Sequence, residues 1–155
     1  MDFSLETIKT PIDKLKASIL ITRFYFELCN MDDKYLHNQS LSECMKGLKY
    51  NSDYECILII KCKNKFIGII KFTTSIKEMT WIEWLYIIPS YRNQGIATSV
   101  LDIVRSLEEN KPLTLVTLTN NEAGLHFYKD YGFKIIGTSK SYGYDITELY
   151  YEVSV

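Results

Sequence analysis

The stretch IIPSYRNQGIATSVLDIV (residues 87–104) decides how this chain is read. It begins as an apolar strand and breaks at Pro89, which removes a backbone donor. It ends as a helix, in which Ile96, Ala97, Val100, Leu101, Val104 and Leu107 keep helical spacing. Between the two lies Arg92-Asn93-Gln94-Gly95-Ile96-Ala97. A helix N-terminus presents unpaired N–H groups and the positive end of the helix dipole, so it attracts phosphate. Gly95 has no side chain there, Ala97 has almost none, and Arg92 adds a fixed positive charge. The hexapeptide alone fits two readings: a phosphate cradle, or a helix that starts on glycine for steric reasons. It lacks the Lys-Ser/Thr ending of a nucleoside-triphosphate loop and the three glycines of a dinucleotide turn.

Working outward, residues 80–89 form the strand that leads into this turn. Residues 54–62 and 65–75 form two more, joined by Lys63-Asn64, which implies an antiparallel hairpin. The turn around Lys77-Glu78 leads to the third strand of the meander. Upstream, residues 3–9 read as a strand, and Pro11 and Asp13 open a helix over 12–29. Ile12, Leu15, Ile19, Phe26 and Cys29 are among its candidate core positions. Ser40 or Ser42 caps a short second helix reaching Lys49. Downstream, a helix over 95–109 is followed by a strand at 113–119. Asn120 or Asn121 then caps a helix that Gly132 ends after Tyr131. Strands at 133–139 and 148–154 flank a polar, aromatic loop, 139–147. The order is β-α-α-β-β-β-α-β-α-β-β. One β-helix-β step implies a parallel crossover within an otherwise antiparallel sheet.

The 155 residues suit a single domain spanning 1–155. Hydrophobic residues make up 46% and charged residues 24%, which is ordinary for a globular chain. A net charge of -1 argues against a nucleic-acid binder that relies on bulk positive charge. No apolar run reaches the roughly 18 residues needed to cross a bilayer, and MDFSLETIKT does not read as a signal peptide. Cys29, Cys44, Cys56 and Cys62 form no CxxC pair, and His37 and His126 lack metal-ligand spacing. Four reduced, mostly buried thiols in a cytoplasmic protein are expected, with no metal. The chain has 12 tyrosines, many of them late. Most are read as packing residues, with one or two lining a site.

Arg92-x-x-Gly95-x-Ala97 matches in full the Arg/Gln-x-x-Gly-x-Gly/Ala signature of the GNAT superfamily of acetyl-CoA-dependent N-acetyltransferases, which this stretch resembles. LYIIPSY resembles that family's lead-in strand. NEAGLHFYKDYGF resembles its second cofactor segment through Asn121, Tyr128, Gly132 and Phe133. Gly124 stands where alanine is usual, which lowers helix propensity without removing a functional group. Motif likeness covers residues 80–135, and the rest matches in element order. The resemblance implies an α/β (α+β) fold. Its core is a mixed, mostly antiparallel sheet of about seven strands, with about four helices on both faces.

The same resemblance implies acetyl-CoA as cosubstrate. Its pyrophosphate would meet backbone N–H groups from Asn93 through Gln94, Gly95 and Ile96 to Ala97, with Thr98 in reach and Arg92 at the mouth. The strand ending at Ile88 would splay from strand 113–119, and pantetheine would bond like an added strand to Leu85, Tyr86 and Ile87. An N–H near Ile87 would meet the oxyanion. Tyr128 is the candidate acid for the departing thiolate, because a phenol with a pKa of about 10 is protonated at neutral pH. Orienting the cofactor sulfur is its other reading. Glu83 is the candidate base, placed by strand alternation on one face with Leu85 and Ile87. Glu55 and Glu78 are weaker alternatives. Asn121 caps a helix, approaches the cofactor, or does both. Tyr131 reads as core, and His126 faces away from Tyr128, about 200° around the helix.

The acceptor, a primary amine of a small molecule or peptide, should enter between residues 30–52 and 139–147. Asp32, Asp33, Glu43, Asp53, Tyr142, Tyr144 and Asp145 would suit a cation there. No nucleic-acid or membrane partner is expected, and the resemblance allows a homodimer. The competing reading is a CoA-binding regulatory or structural module that kept the cradle and lost catalysis.

Overall fold

The computed structural model describes residues 2–32, 48, 54–74, 78–141 and 143–153. Its elements run β1 (Ser4–Thr7), α1 (Pro11–Met31), β2 (Glu55–Cys62), β3 (Lys65–Thr74), β4 (Thr80–Ile87), a 3-10 turn (Pro89–Tyr91), α2 (Ile96–Leu107), β5 (Leu113–Leu118), α3 (Glu122–Tyr131), β6 (Lys134–Ser141) and β7 (Tyr144–Tyr151). Three α-helices therefore occur among the described residues. The expected helix over 40–49 and the turn residues 75–77 lie outside them, although Leu48 is buried.

The strands form one seven-stranded sheet in the order β1-β2-β3-β4-β5-β7-β6. Every neighbouring pair is antiparallel except β4 with β5. Isoleucine runs in β2 and β3 explain the centre: Ile59, Ile60, Ile67, Ile69 and Ile70 are fully buried, as expected of strands covered on both faces. Val100, Leu101 and Val104 of α2 complete the core on one side, and Ala17, Leu20 and Ile21 of α1 on the other.

α1 starts at a capping box. Thr10 accepts from the Asp13 N–H, Asp13 accepts from the Thr10 N–H, and Pro11 follows the cap. Its inward face differs from the expectation. Ile12 and Phe26 are 64% and 67% exposed, Leu15 and Ile19 also face outward, and Ala17, Leu20, Ile21 and Leu28 are buried instead. Both sets keep helical spacing, so periodicity shows two apolar faces and does not choose between them.

The late hairpin also differs. Residues 139–147 are mostly strand, since β6 runs to Ser141, β7 starts at Tyr144, and these two residues pair. The strands therefore extend beyond the expected 133–139 and 148–154, because the added residues Lys140–Ser141 and Tyr144–Thr147 are mostly polar and read as a loop in composition.

The pairing of β4 positions the site. Only Thr80, Trp81 and Ile82 pair with β5, opposite Leu113, Thr114 and Leu115. The β3 register then shifts between Lys71 and Phe72, leaving Glu83 as the extra residue of a β-bulge. A bulge bends its strand. Beyond it β4 stays with β3 up to Ile87, whereas β5 stays with β7 up to Leu118. A gap opens between the two parallel strands.

Candidate active site

The gap holds a cavity of about 360 Å³. α1 contributes Phe24, Glu27, Leu28 and Met31, β4 contributes Leu85, Tyr86 and Ile87, and the following turn contributes Arg92, Asn93, Gly95, Ile96, Ala97 and Thr98. Asn121 and Tyr128 close it from α3. Of the expected cofactor contacts, only Gln94 is missing from the wall; its side chain donates back to the Ser90 carbonyl at 3.3 Å.

Gly95 is the N-cap of α2 in the left-handed region, with φ 78°, and no side chain caps the helix. The Ser99 N–H makes the first helical bond, to the Gly95 carbonyl. The N–H groups of Ile96, Ala97 and Thr98 precede it, at the positive end of the dipole. Asn93 is left-handed too, at φ 58°. A turn of this kind is a known anion-binding concavity. A Cβ built on Gly95 meets nothing within 4 Å, so the glycine borders open space.

Arg92 is committed elsewhere. Its Nε donates to the Ile87 carbonyl at 2.7 Å, and Nη2 donates to both carboxylate oxygens of Glu27, at 2.8 and 2.9 Å. The guanidinium also lies 5.4 Å from the Tyr86 ring centroid. The charge expected at the cradle is thus tied back to α1 and β4. Sequence reasoning missed Glu27, which lies 65 residues from Arg92 and carries no local signal.

The backbone of β4 faces the gap in alternation. The Ile88 N–H donates to Ile67 of β3 at 2.8 Å. Successive N–H groups in a strand point to opposite edges, so those of Ile87 and Leu85 point away from β3, into the gap.

A second cavity of about 250 Å³ continues past the bulge. Tyr128, Leu85, Asn121, Phe24 and Leu28 line both cavities. Tyr128 therefore stands at their junction. Its ring packs on Phe127 and Phe133, with centroids 5.1 and 5.4 Å away. No hydrogen bond to its hydroxyl occurs among the described residues. Burial pushes this phenol well above its ordinary pKa, so it is protonated at any working pH.

Glu83 lines the second cavity. Its carboxylate accepts from Lys71 Nζ at 2.7 Å and Thr73 Oγ1 at 2.9 Å. Lys71 also lies 4.9 Å from the Trp84 ring centroid, so Glu83 and Trp84 share the α1 face, where Tyr86 donates to Glu27 at 3.3 Å. The expected common face of Glu83, Leu85 and Ile87 is not found. The bulge breaks the alternation, and Leu85 and Ile87 point to the opposite side. Glu55 binds Lys71 at 3.5 Å, and Glu55 and Glu78 line neither cavity.

Asn121 caps α3: Oδ1 accepts from the Gly124 N–H at 3.0 Å, and Nδ2 donates to Thr117 Oγ1 at 2.9 Å. A Cβ on Gly124 would lie 2.3 Å from Asn121 Nδ2, so the glycine makes room for the cap. Gly→Ala within a helix usually stabilises by about 1 kcal/mol. Here Gly124→Ala should instead be neutral or destabilising by denaturant titration. In an Asn121→Ala background the same change should recover about 0.5–1 kcal/mol. Equal effects in both backgrounds would refute this coupling.

His126 is exposed beside Asp130, at 3.1 Å, and lines neither cavity. Tyr131 donates to Asp102 at 2.7 Å within the α3–β7 aromatic cluster, and burial pushes its pKa up to about 12. Of the expected acceptor-side residues, Tyr144 lines the second cavity, Asp32 is buried at the end of α1, and Asp145 is exposed. Asp33, Glu43, Asp53 and Tyr142 lie outside the described residues, as do His37, Ser40, Ser42 and Cys44. Of Cys29, Cys56 and Cys62, only Cys62 is buried. Among the described residues no group of His, Cys, Asp or Glu could hold a metal, and no helix is long and apolar enough to cross a membrane.

The model of the acetyltransferase (GNAT) domain matches residues 53–135. The chain belongs to this family of acetyl-CoA-dependent acyltransferases. No curated protein sequence matches it. Solved structures with the same fold include a putative GNAT-family acetyltransferase from Desulfovibrio desulfuricans, at 14% identity and TM-score 0.73, covering 99% of this chain and 100% of that one. Arabidopsis thaliana Naa50, in complex with the bisubstrate analogue CoA-Ac-MVNAL, shares 20% identity at TM-score 0.69, covering 99% of this chain and 100% of that one. A putative streptothricin acetyltransferase from Bacillus anthracis, in complex with acetyl coenzyme A, shares 23% identity at TM-score 0.61, covering 68% of this chain and 66% of that one.

Proposed function

We propose that the chain moves the acetyl group of acetyl-CoA directly to a primary amine of a small molecule or peptide, with both substrates bound at once. The junction position of Tyr128 carries this reading: one cavity leads from it to the uncapped start of α2, and the other leads to Glu83. The first suits acetyl-CoA, with pyrophosphate on the N–H groups from Asn93 to Thr98 and pantetheine along the free edge of Leu85 to Ile87. The second suits the amine.

Each chain group then has a task. The Ile87 N–H stabilises the oxyanion that develops when the neutral amine attacks the thioester carbon. Glu83 takes the amine proton, relayed by water, while Lys71 and Thr73 hold its carboxylate in place. The carbon–sulfur bond breaks, and Tyr128 gives its proton to the leaving thiolate. Arg92 acts on position rather than charge, fastening the Ile87 peptide and α1 to the cradle turn.

Initial rates with both substrates varied should give intersecting double-reciprocal lines. Acetyl-CoA alone should leave no acetyl group on the protein. Glu83→Gln should lower kcat/KM about 10- to 100-fold below pH 8, with recovery as the amine deprotonates in solution. Parallel lines with an acetylated protein would defeat direct transfer. An unchanged pH profile in Glu83→Gln would remove Glu83 from the proton path.

A further inference from the structure

We propose that the second cavity selects a small arylalkyl monoamine: one aromatic ring joined to a primary amine by a short carbon chain, with no carboxylate or phosphate. This rests on reading that cavity as the acceptor site. Three observations set the class.

Size comes first. An apolar cavity of about 150 Å³ holds benzene. A volume of about 250 Å³ therefore leaves room for one ring and a chain of a few carbons.

The walls come second. Aromatic side chains line it from four elements, with Phe24 and Tyr25 on α1, Trp84 on β4, Tyr128 on α3 and Tyr144 on β7. Leu115 and Ile146 are among the aliphatic residues between them. Rings pack well on such surfaces, in offset or edge-to-face contact.

Charge comes third. Among the described residues lining the cavity, Glu83 is the only acidic one, and none is Lys or Arg. Lys71 does not line it; its ammonium is held behind the wall by Glu83 and Glu55. Among the described residues, a carboxylate on the acceptor would meet no cation, and the second ammonium of a diamine would meet no second carboxylate. Burying an unpaired charge is expensive. Two polar side chains at the wall, Asn121 and Glu83, are also bonded already. Asn121 spans Thr117 and the Gly124 N–H, and Glu83 spans Lys71 and Thr73. They offer little to a hydroxylated or sugar-like acceptor.

The test compares phenethylamine, phenylalanine and a linear diamine of similar length. Phenylalanine is phenethylamine with a carboxylate added, so the pair isolates that charge. Two readouts are taken on the full chain: kcat/KM at saturating acetyl-CoA, and calorimetric binding with CoA already bound. Phenethylamine should exceed each competitor by at least about tenfold in both. Preference for phenylalanine or the diamine in either readout would overturn the proposal, as would no binding of any of the three. Selective binding of phenethylamine without an acetylated product would uphold the acceptor class and defeat the acetyl-transfer reading.

Discussion

Tyr128→Phe should lower kcat at least about 100-fold and leave acetyl-CoA affinity within about twofold. The hydroxyl makes no hydrogen bond among the described residues, so its removal leaves no partner unsatisfied. The ring keeps its packing on Phe127 and Phe133, and the fold should hold. What disappears is a proton at the junction of the two cavities. Burial raises this pKa, so the neutral phenol is the folded form at every working pH. The wild-type rate should therefore show no alkaline loss from Tyr128 up to about pH 10. A kcat within about threefold of wild type would reduce Tyr128 to a wall residue.

Gly95→Val should raise the acetyl-CoA dissociation constant about 100-fold or more, a loss of about 2.7 kcal/mol. Two effects combine. At φ 78° a β-branched residue is a genuine outlier, costing of order 1–3 kcal/mol in the turn. Its Cβ would also enter the open space in which the proposed function places the pyrophosphate. Gly95→Asn separates the two, because asparagine tolerates left-handed backbone. That variant should melt near wild type yet bind acetyl-CoA at least about tenfold more weakly. Normal binding by Gly95→Asn would leave the glycine a conformational role only.

Residues 80–135 were the most legible part of the chain, because their constraints are local. A phosphate cradle needs small residues at fixed spacing, a helix stop needs glycine, and a crossover needs strand-helix-strand order. From these came the mixed sheet with its one parallel crossover, whereas the splay of β4 from β5 and the wall at Leu85–Ile87 were implied by the family resemblance. What failed depended on partners far away in sequence. α1 has two apolar stripes, and only the packed sheet decides that Leu20 and Ile21 point inward while Ile12 and Phe26 do not. Glu83 followed strict strand alternation until the bulge, and a bulge depends on the β3 register rather than on β4 alone. Arg92 looked like a free cation, since nothing near it in sequence announces Glu27. The inner ends of the β6–β7 hairpin, Lys140–Ser141 and Tyr144–Thr147, were read as loop because their composition is mostly polar.

The most direct measurement is the release of free CoA thiol from acetyl-CoA by the wild-type chain across a broad panel of primary amines, with product mass confirming N-acetylation. Amine-dependent release with at least one member is expected, and Tyr128→Phe should abolish most of it. Tight acetyl-CoA binding with no acetyl transfer to any amine would contradict the account and leave a CoA-binding module in its place.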